Sequence, residues 1–129
     1  MKISTEIHSA SKILGEERAI AALAEAGFDA WDFSMFEMCN NKNGVLVPTN
    51  HPTAQSNYLA FARRLKQIGL DNGIVCNQSH APFPTSRPEI ATYLKKSIKL
   101  FPDYYKAKVA LYILYEQTNQ NNKKEQIII

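Results

Sequence analysis

Four side chains fall where strand patterns give way to polar residues, and their types suit binding of hydroxyl groups or transfer of protons: His8, Asp32, Glu37 and His80. His80 is the sharpest. The segment Ile74-Val75-Cys76-Asn77-Gln78-Ser79-His80-Ala81-Pro82-Phe83 reads as a short buried strand that turns polar and stops at a proline. In parallel α/β folds the loops at the carboxyl ends of strands converge on one face, and chemistry collects there. His8 follows a first strand pattern, Asp32 and Glu6 lie on or beside strand ends, and Glu37 follows the second strand. Plainer roles stand beside these. His80 also suits a bridge to a backbone carbonyl, His8 a surface loop, and Asp32 a strand-end cap or a partner for a basic residue. His51 precedes a proline in a loop and is expected to be exposed. No Ser/His/Asp or Cys/His arrangement is readable from residue order.

The elements that must position these groups fit one domain with a real core. Of the 129 residues, 45% are apolar and 21% charged, as in ordinary globular proteins. A net charge of +3, scattered apart from Arg63-Arg64 and Lys95-Lys96, argues against a nucleic-acid or anionic-membrane partner. The start of the chain lacks the apolar core of a secretory signal, and no apolar run approaches a membrane span, so a cytoplasmic, reduced protein is expected. The two cysteines have no CxxC spacing and give no zinc signal. Cys76 reads as a small core residue, and Cys39, in a polar loop, as the more reactive thiol.

Period-2 alternation predicts a strand over Lys2 to Ile7, then a helix from Glu16 to Ala26 with Ala19, Ile20, Leu23 and Ala24 as its stripe. Gly27 ends that helix. Phe28 to Ser34 is the second strand. The connection from Met35 to about Gln55 is long enough to suggest function. Ser56 is the expected cap of a helix from Asn57 to about Leu70, with Leu59, Phe61, Ala62, Leu65 and Ile68 on one face. The third strand runs from Ile74 to about Gln78. Pro88 opens a third helix, Glu89 to about Leu100, with Ile90, Tyr93, Leu94 and Ile98 buried. This alternation implies parallel strands and right-handed crossovers. No glycine-rich phosphate loop is present.

Beyond Leu100 the pattern degrades. Residues 108 to 115 match either a strand or a continued helix, and the density of β-branched and aromatic residues favours a fourth strand. Residues 116 to 129 are expected to form a polar, disordered tail beyond a domain spanning 1 to 115.

Two segments carry a resemblance. Glu25-Ala26-Gly27-Phe28-Asp29-Ala30-Trp31-Asp32-Phe33 resembles the first helix-to-strand junction of the xylose-isomerase-like barrel superfamily. Cys76-Asn77-Gln78-Ser79-His80-Ala81-Pro82-Phe83 resembles its third strand, with a His-Ala-Pro ending. The likeness covers about Met1 to Leu100. That superfamily contains sugar phosphate isomerases and epimerases and the apurinic endonucleases. The resemblance implies an α/β fold: a partial, half TIM-type (β/α) barrel with three βα units.

It also implies proton transfer on a ketose or aldose, assisted by a divalent metal, Mn, Zn or Mg. His80 matches the third-strand histidine, a zinc ligand in the endonuclease branch and a pocket residue in the sugar branch; one ligand does not make a metal site. The sugar branch takes its metal-binding and acid–base carboxylates from the second half of the barrel, and no such half can be read here, so the chain is expected to be a truncated relative. Two functions therefore remain. One is a sugar isomerase or epimerase whose small-molecule sugar or sugar phosphate meets His80, His8, Asp32 and Glu37. The other is a non-catalytic half-barrel that binds a ligand or itself. Open sheet edges and an apolar inner face would drive self-association.

Overall fold

The structure, a computed structural model, describes residues 1–82, 87–100, 111, 113–115, 117 and 118. Three strands, β1 (Ser4–Glu6), β2 (Ala30–Ser34) and β5 (Val75–His80), form a parallel sheet in the order β1-β2-β5. Between β2 and β5 lies a second, antiparallel pair, β3 (Cys39–Lys42) and β4 (Val45–Pro48). Four helices are α1 (His8–Leu14), α2 (Glu16–Glu25), α3 (Tyr58–Asp71) and α4 (Ala91–Leu100). The architecture is mixed α/β around a parallel sheet.

The helices form for the reasons the periodicity gives. On α2 the buried residues are Ala19 and Ile20, and Leu23 and Ala24 pack against the core. Gly27, at φ +87°, turns the chain out of α2 in a conformation that disfavours any side chain. On α3 Leu65 is buried, with Phe61 and Ile68 beside it. Ser56 does not cap this helix; Asn57 occupies the cap position and no side chain bonds there. Before α4, Pro88 opens a 3₁₀ turn at Pro88–Ile90, and Ile90, Tyr93 and Leu94 are buried.

Register decides which residues face the helices. Thr5 pairs with Trp31, and Trp31 with Cys76. Trp31 and Phe33 meet edge to face at 6.0 Å. Gly69 of α3 lies so close to the indole that a Cβ there would fall 2.6 Å from Trp31 Nε1. These positions join Ile7, Ile20, Leu65 and Ile74 in one core. The other face carries Ser4, Glu6, Asp32, Ser34, Gln78 and His80, because Ser4 pairs with Ala30, Glu6 with Asp32, Asp32 with Gln78, and Ser34 with His80. Ala30 and Val75 share this face, so the expected apolar inner face is instead mixed, with polar residues toward the carboxyl ends. Pairing slips by one residue between Trp31 and Asp32, so Asn77 is extra. Such a bulge turns the rest of the strand over. Strict alternation would put Gln78 and His80 on the Cys76 side; the slip moves them to the Asp32 side.

Further expectations are corrected. The long connection is largely ordered: a 3₁₀ turn at Phe36–Met38, the β3–β4 hairpin and a second 3₁₀ turn at Pro52–Ala54. The hairpin turns at Asn43 and Gly44, at φ 51° and 83°, the pair of left-handed residues a two-residue turn requires. In place of the fourth strand, Leu111, Ile113, Leu114, Tyr115 and Gln117 are helical. Leu111, Leu114 and Tyr115 are buried, which selects the helical pattern over the strand pattern. Thr118 continues the turn, its N–H 3.1 Å from Leu114 O. The remainder of the expected tail, residues 116 and 119–129, lies outside the described residues. Cys39 begins β3 rather than lying in a polar loop; it is buried, and burial raises its thiol pKa. Burial pushes the Cys76 thiol up to about 12. Among the described residues no helix is long and apolar enough to cross a membrane.

Candidate functional site

The carboxyl ends of β1, β2 and β5 bring His8, Asp32, Glu37 and His80 to one end of the sheet. Each arrives by a local cause. β1 ends at Glu6, and the Glu6 carboxylate accepts the main-chain N–H of His8, fixing the start of α1. The main-chain N–H of Met35 donates to His80 O at 2.9 Å, tying the end of β2 to the end of β5. The 3₁₀ turn after β2 then presents Phe36 and Glu37.

Asp32 is the hub of the polar face. Ser4 Oγ donates to its Oδ1 at 2.6 Å and Gln78 Nε2 to its Oδ2 at 2.7 Å. His80 Nε2 lies 3.5 Å from the same Oδ2, and this ring nitrogen is buried without a hydrogen bond of good geometry. Burial alone would raise the Asp32 pKa. Hydrogen bonds from Ser4 and Gln78, with His80 beside them, outweigh it and hold the carboxyl below its usual range. Asp32 is thus a fixed negative charge only 6% exposed.

A second group adjoins the first through Phe36. The Phe36 ring lies 5.3 Å from the His8 ring and 6.0 Å from the His80 ring. His8 Nε2 is 3.7 Å and Lys12 Nζ 3.8 Å from Glu37 Oε1. An aromatic wall thus stands between a buried His–carboxylate pair and a more open one that also holds a lysine.

Sequence reasoning missed His51 and Lys12. His51 is not exposed; its side chain is largely buried, edge-on to Phe61 at 5.7 Å. One ring nitrogen, Nε2, bonds Glu16 at the start of α2, and Nδ1 lies 2.7 Å from Thr53 Oγ1. The hydrogen bond from His51 is the main reason the Glu16 carboxyl titrates below its usual range. Thr53 is fully buried, so this Thr–His–Glu chain is a structural tie rather than a nucleophile with access to substrate. Thr49 Oγ1 donates to Glu37 O, which links the same segment to the mouth. Long-range packing made this arrangement, and no local signal foretold it. Lys12 was hidden because α1 buries none of its residues and so leaves no apolar stripe to read.

Among the described residues no three His, Cys, Asp or Glu side chains converge on a point. His80 and Asp32 supply two donors, and both Asp32 oxygens already accept hydrogen bonds. What the arrangement can do is accept hydrogen bonds from hydroxyl groups, donate from imidazole and ammonium, and pass a proton through a carboxylate-oriented imidazole. Compared with protein-family models, curated proteins and solved structures, the chain finds no match.

Proposed function

We propose that this chain is a half-barrel of the xylose-isomerase-like type that binds a sugar or sugar phosphate at the carboxyl-end mouth of its sheet. Its reaction class is proton transfer beside a sugar carbonyl, as in isomerases and epimerases. The observation that carries the reading is the Ser4–Asp32–Gln78 network with His80 Nε2 3.5 Å from Asp32 Oδ2. Phe36, half-buried between the His8 and His80 rings, lines the same mouth. Asp32 orients the imidazole and His80 holds or moves the proton. Glu37, with His8 and Lys12, contacts the far end of the ligand.

A panel of free ketoses, aldoses and their phosphates, incubated with the protein in deuterated water, tests this. Exchange of the carbon-bound hydrogen next to the carbonyl, seen by proton NMR and lost in His80→Ala, is the expected result. Binding without exchange favours the second reading, a non-catalytic ligand-binding half-barrel. Absence of binding by every sugar in the panel refutes both.

A further inference from the structure

We infer that Asn43, at the tip of the β3–β4 hairpin, is a site of self-modification. Its carboxamide closes on the Gly44 nitrogen, loses ammonia and opens with water to a carboxylate, while the fold holds the chain's other Asn–Gly pair, Asn72–Gly73, inert. Asn–Gly is the pair in which this ring closure meets least hindrance, because glycine carries no Cβ beside the attacking nitrogen. Both pairs are exposed, and by residue type they are equals. Their hydrogen bonds separate them.

At Asn72 both reacting groups are engaged. The carboxamide Nδ2 donates to Ile68 O at 2.8 Å, and the Gly73 N–H donates to Leu70 O at 3.0 Å. The main-chain N–H of Asn72 lies 3.1 Å from Ile68 O and from Gly69 O, so the end of α3 fixes this residue as its cap. Ring closure there breaks two hydrogen bonds before it forms one covalent bond. At Asn43 the reacting groups are free. Among the described residues, neither its carboxamide nor the Gly44 N–H has a hydrogen-bond partner. Pairing of the strands stops at Lys42 and Val45, which leaves these two residues as the whole turn. Arg87 stands over it: Nη1 donates to Gly44 O, and a Cβ on Gly44 would lie 3.9 Å from Nη2. That guanidinium sets positive charge near the Gly44 nitrogen as it loses its proton, and near the oxyanion that forms on Asn43 Cγ.

The step balances with water alone. The Gly44 nitrogen gives up its proton and attacks Asn43 Cγ. The bond from Cγ to Nδ2 breaks, and the amide nitrogen takes up a proton and leaves as ammonia. Water then opens the cyclic imide at either carbonyl. One opening restores the ordinary main chain with an aspartate at position 43. The other routes the chain through the side-chain carbon, which lengthens the turn by an atom and disturbs the match of Lys42 with Val45. Either product places a carboxylate one residue from the carbonyl that Arg87 holds.

The intact protein, incubated in heavy-oxygen water at mildly alkaline pH and then digested, tests this by mass spectrometry of the peptides that carry each pair. Heavy oxygen enters where a ring has opened. Asn43 is expected to convert on the order of tenfold faster than Asn72 or more, since two hydrogen bonds are lost at Asn72 and none at Asn43. In denaturant the two rates are expected to converge, because the bonds that separate them are gone. Equal conversion of the two pairs in the native protein overturns the inference. So does a native protein in which neither converts over the time both take in denaturant. A ratio that persists unchanged in denaturant overturns it as well, because the difference then belongs to the neighbouring residues and not to the fold.

Discussion

Trp31 and Asp32 are neighbours on β2, yet they live in different chemistry. Trp31 packs against Gly69 of α3 at a distance that leaves no room for a methyl group. Asp32 turns the other way and takes hydrogen bonds from Ser4 and Gln78. One face of the sheet is held by shape, the other by a charge with fixed partners. The apolar face gains free energy from every buried surface it adds. The polar face gains little net stability, because each of its hydrogen bonds replaces one to water. What it gains is a carboxylate held in place with an imidazole nitrogen beside it. Apolar packing and polar hydrogen bonding are thus divided between alternate residues of the same strands.

Substitutions on the two faces should therefore separate. Trp31→Ala removes the largest fully buried side chain and is expected to cost about 3–5 kcal/mol, read by denaturant melts. A loss below about 1 kcal/mol would mean that the indole is not the centre of the helix-covered face. Gly69→Ala tests the same contact from the other side. Its Cβ would meet Trp31 Nε1 at 2.6 Å and Ile74 O at 3.1 Å, so a cost of about 1–3 kcal/mol is expected despite the helix propensity of alanine.

Carboxylates mark the next rank. His51→Ala leaves Glu16 without its main partner and is expected to cost about 1–2 kcal/mol. Glu16 has a depressed folded-state pKa, so its contribution is present above the unfolded value of about 4.3 and lost as pH falls through the folded value. Melts of His51→Ala over roughly pH 3 to 7 should show a flatter acid limb than the parent. Asp32→Asn works by the same sign, through an unfolded value of about 3.9, and should cost about 1–2 kcal/mol at neutral pH. An unchanged acid limb in Asp32→Asn would show that the carboxylate is not held by its partners. Glu37→Gln is expected to change stability by less than about 0.5 kcal/mol while weakening ligand binding. A large loss of stability there would move Glu37 from the mouth's chemistry to its scaffold.

The helices of the core were largely legible in the sequence because their signals are local. The stripe Ala19, Ile20, Leu23 and Ala24 lies against the core, and Gly27 stops α2 where its spacing says it should. The β3–β4 hairpin was legible in principle from Asn43-Gly44, whose left-handed backbone is the mark of a tight turn, but the run of polar residues around it obscured the strands. Residues 108 to 115 offered two periodicities at once, and burial of Leu111, Leu114 and Tyr115 settled the described ones as helical.

Sequence by itself determined that strands end near His8, Asp32 and His80, because apolar alternation and proline placement are properties of short segments. Tertiary structure decided which way those side chains face. One extra residue at Asn77 slips the pairing of β5 on β2, and a one-residue slip exchanges the two faces of a strand. That slip places Gln78 and His80 beside Asp32 rather than under the helices. The contact between Glu16 and His51, 35 positions apart, has the same origin. It exists because α2 and the turn before α3 meet in space, and nothing in either segment alone specifies the other.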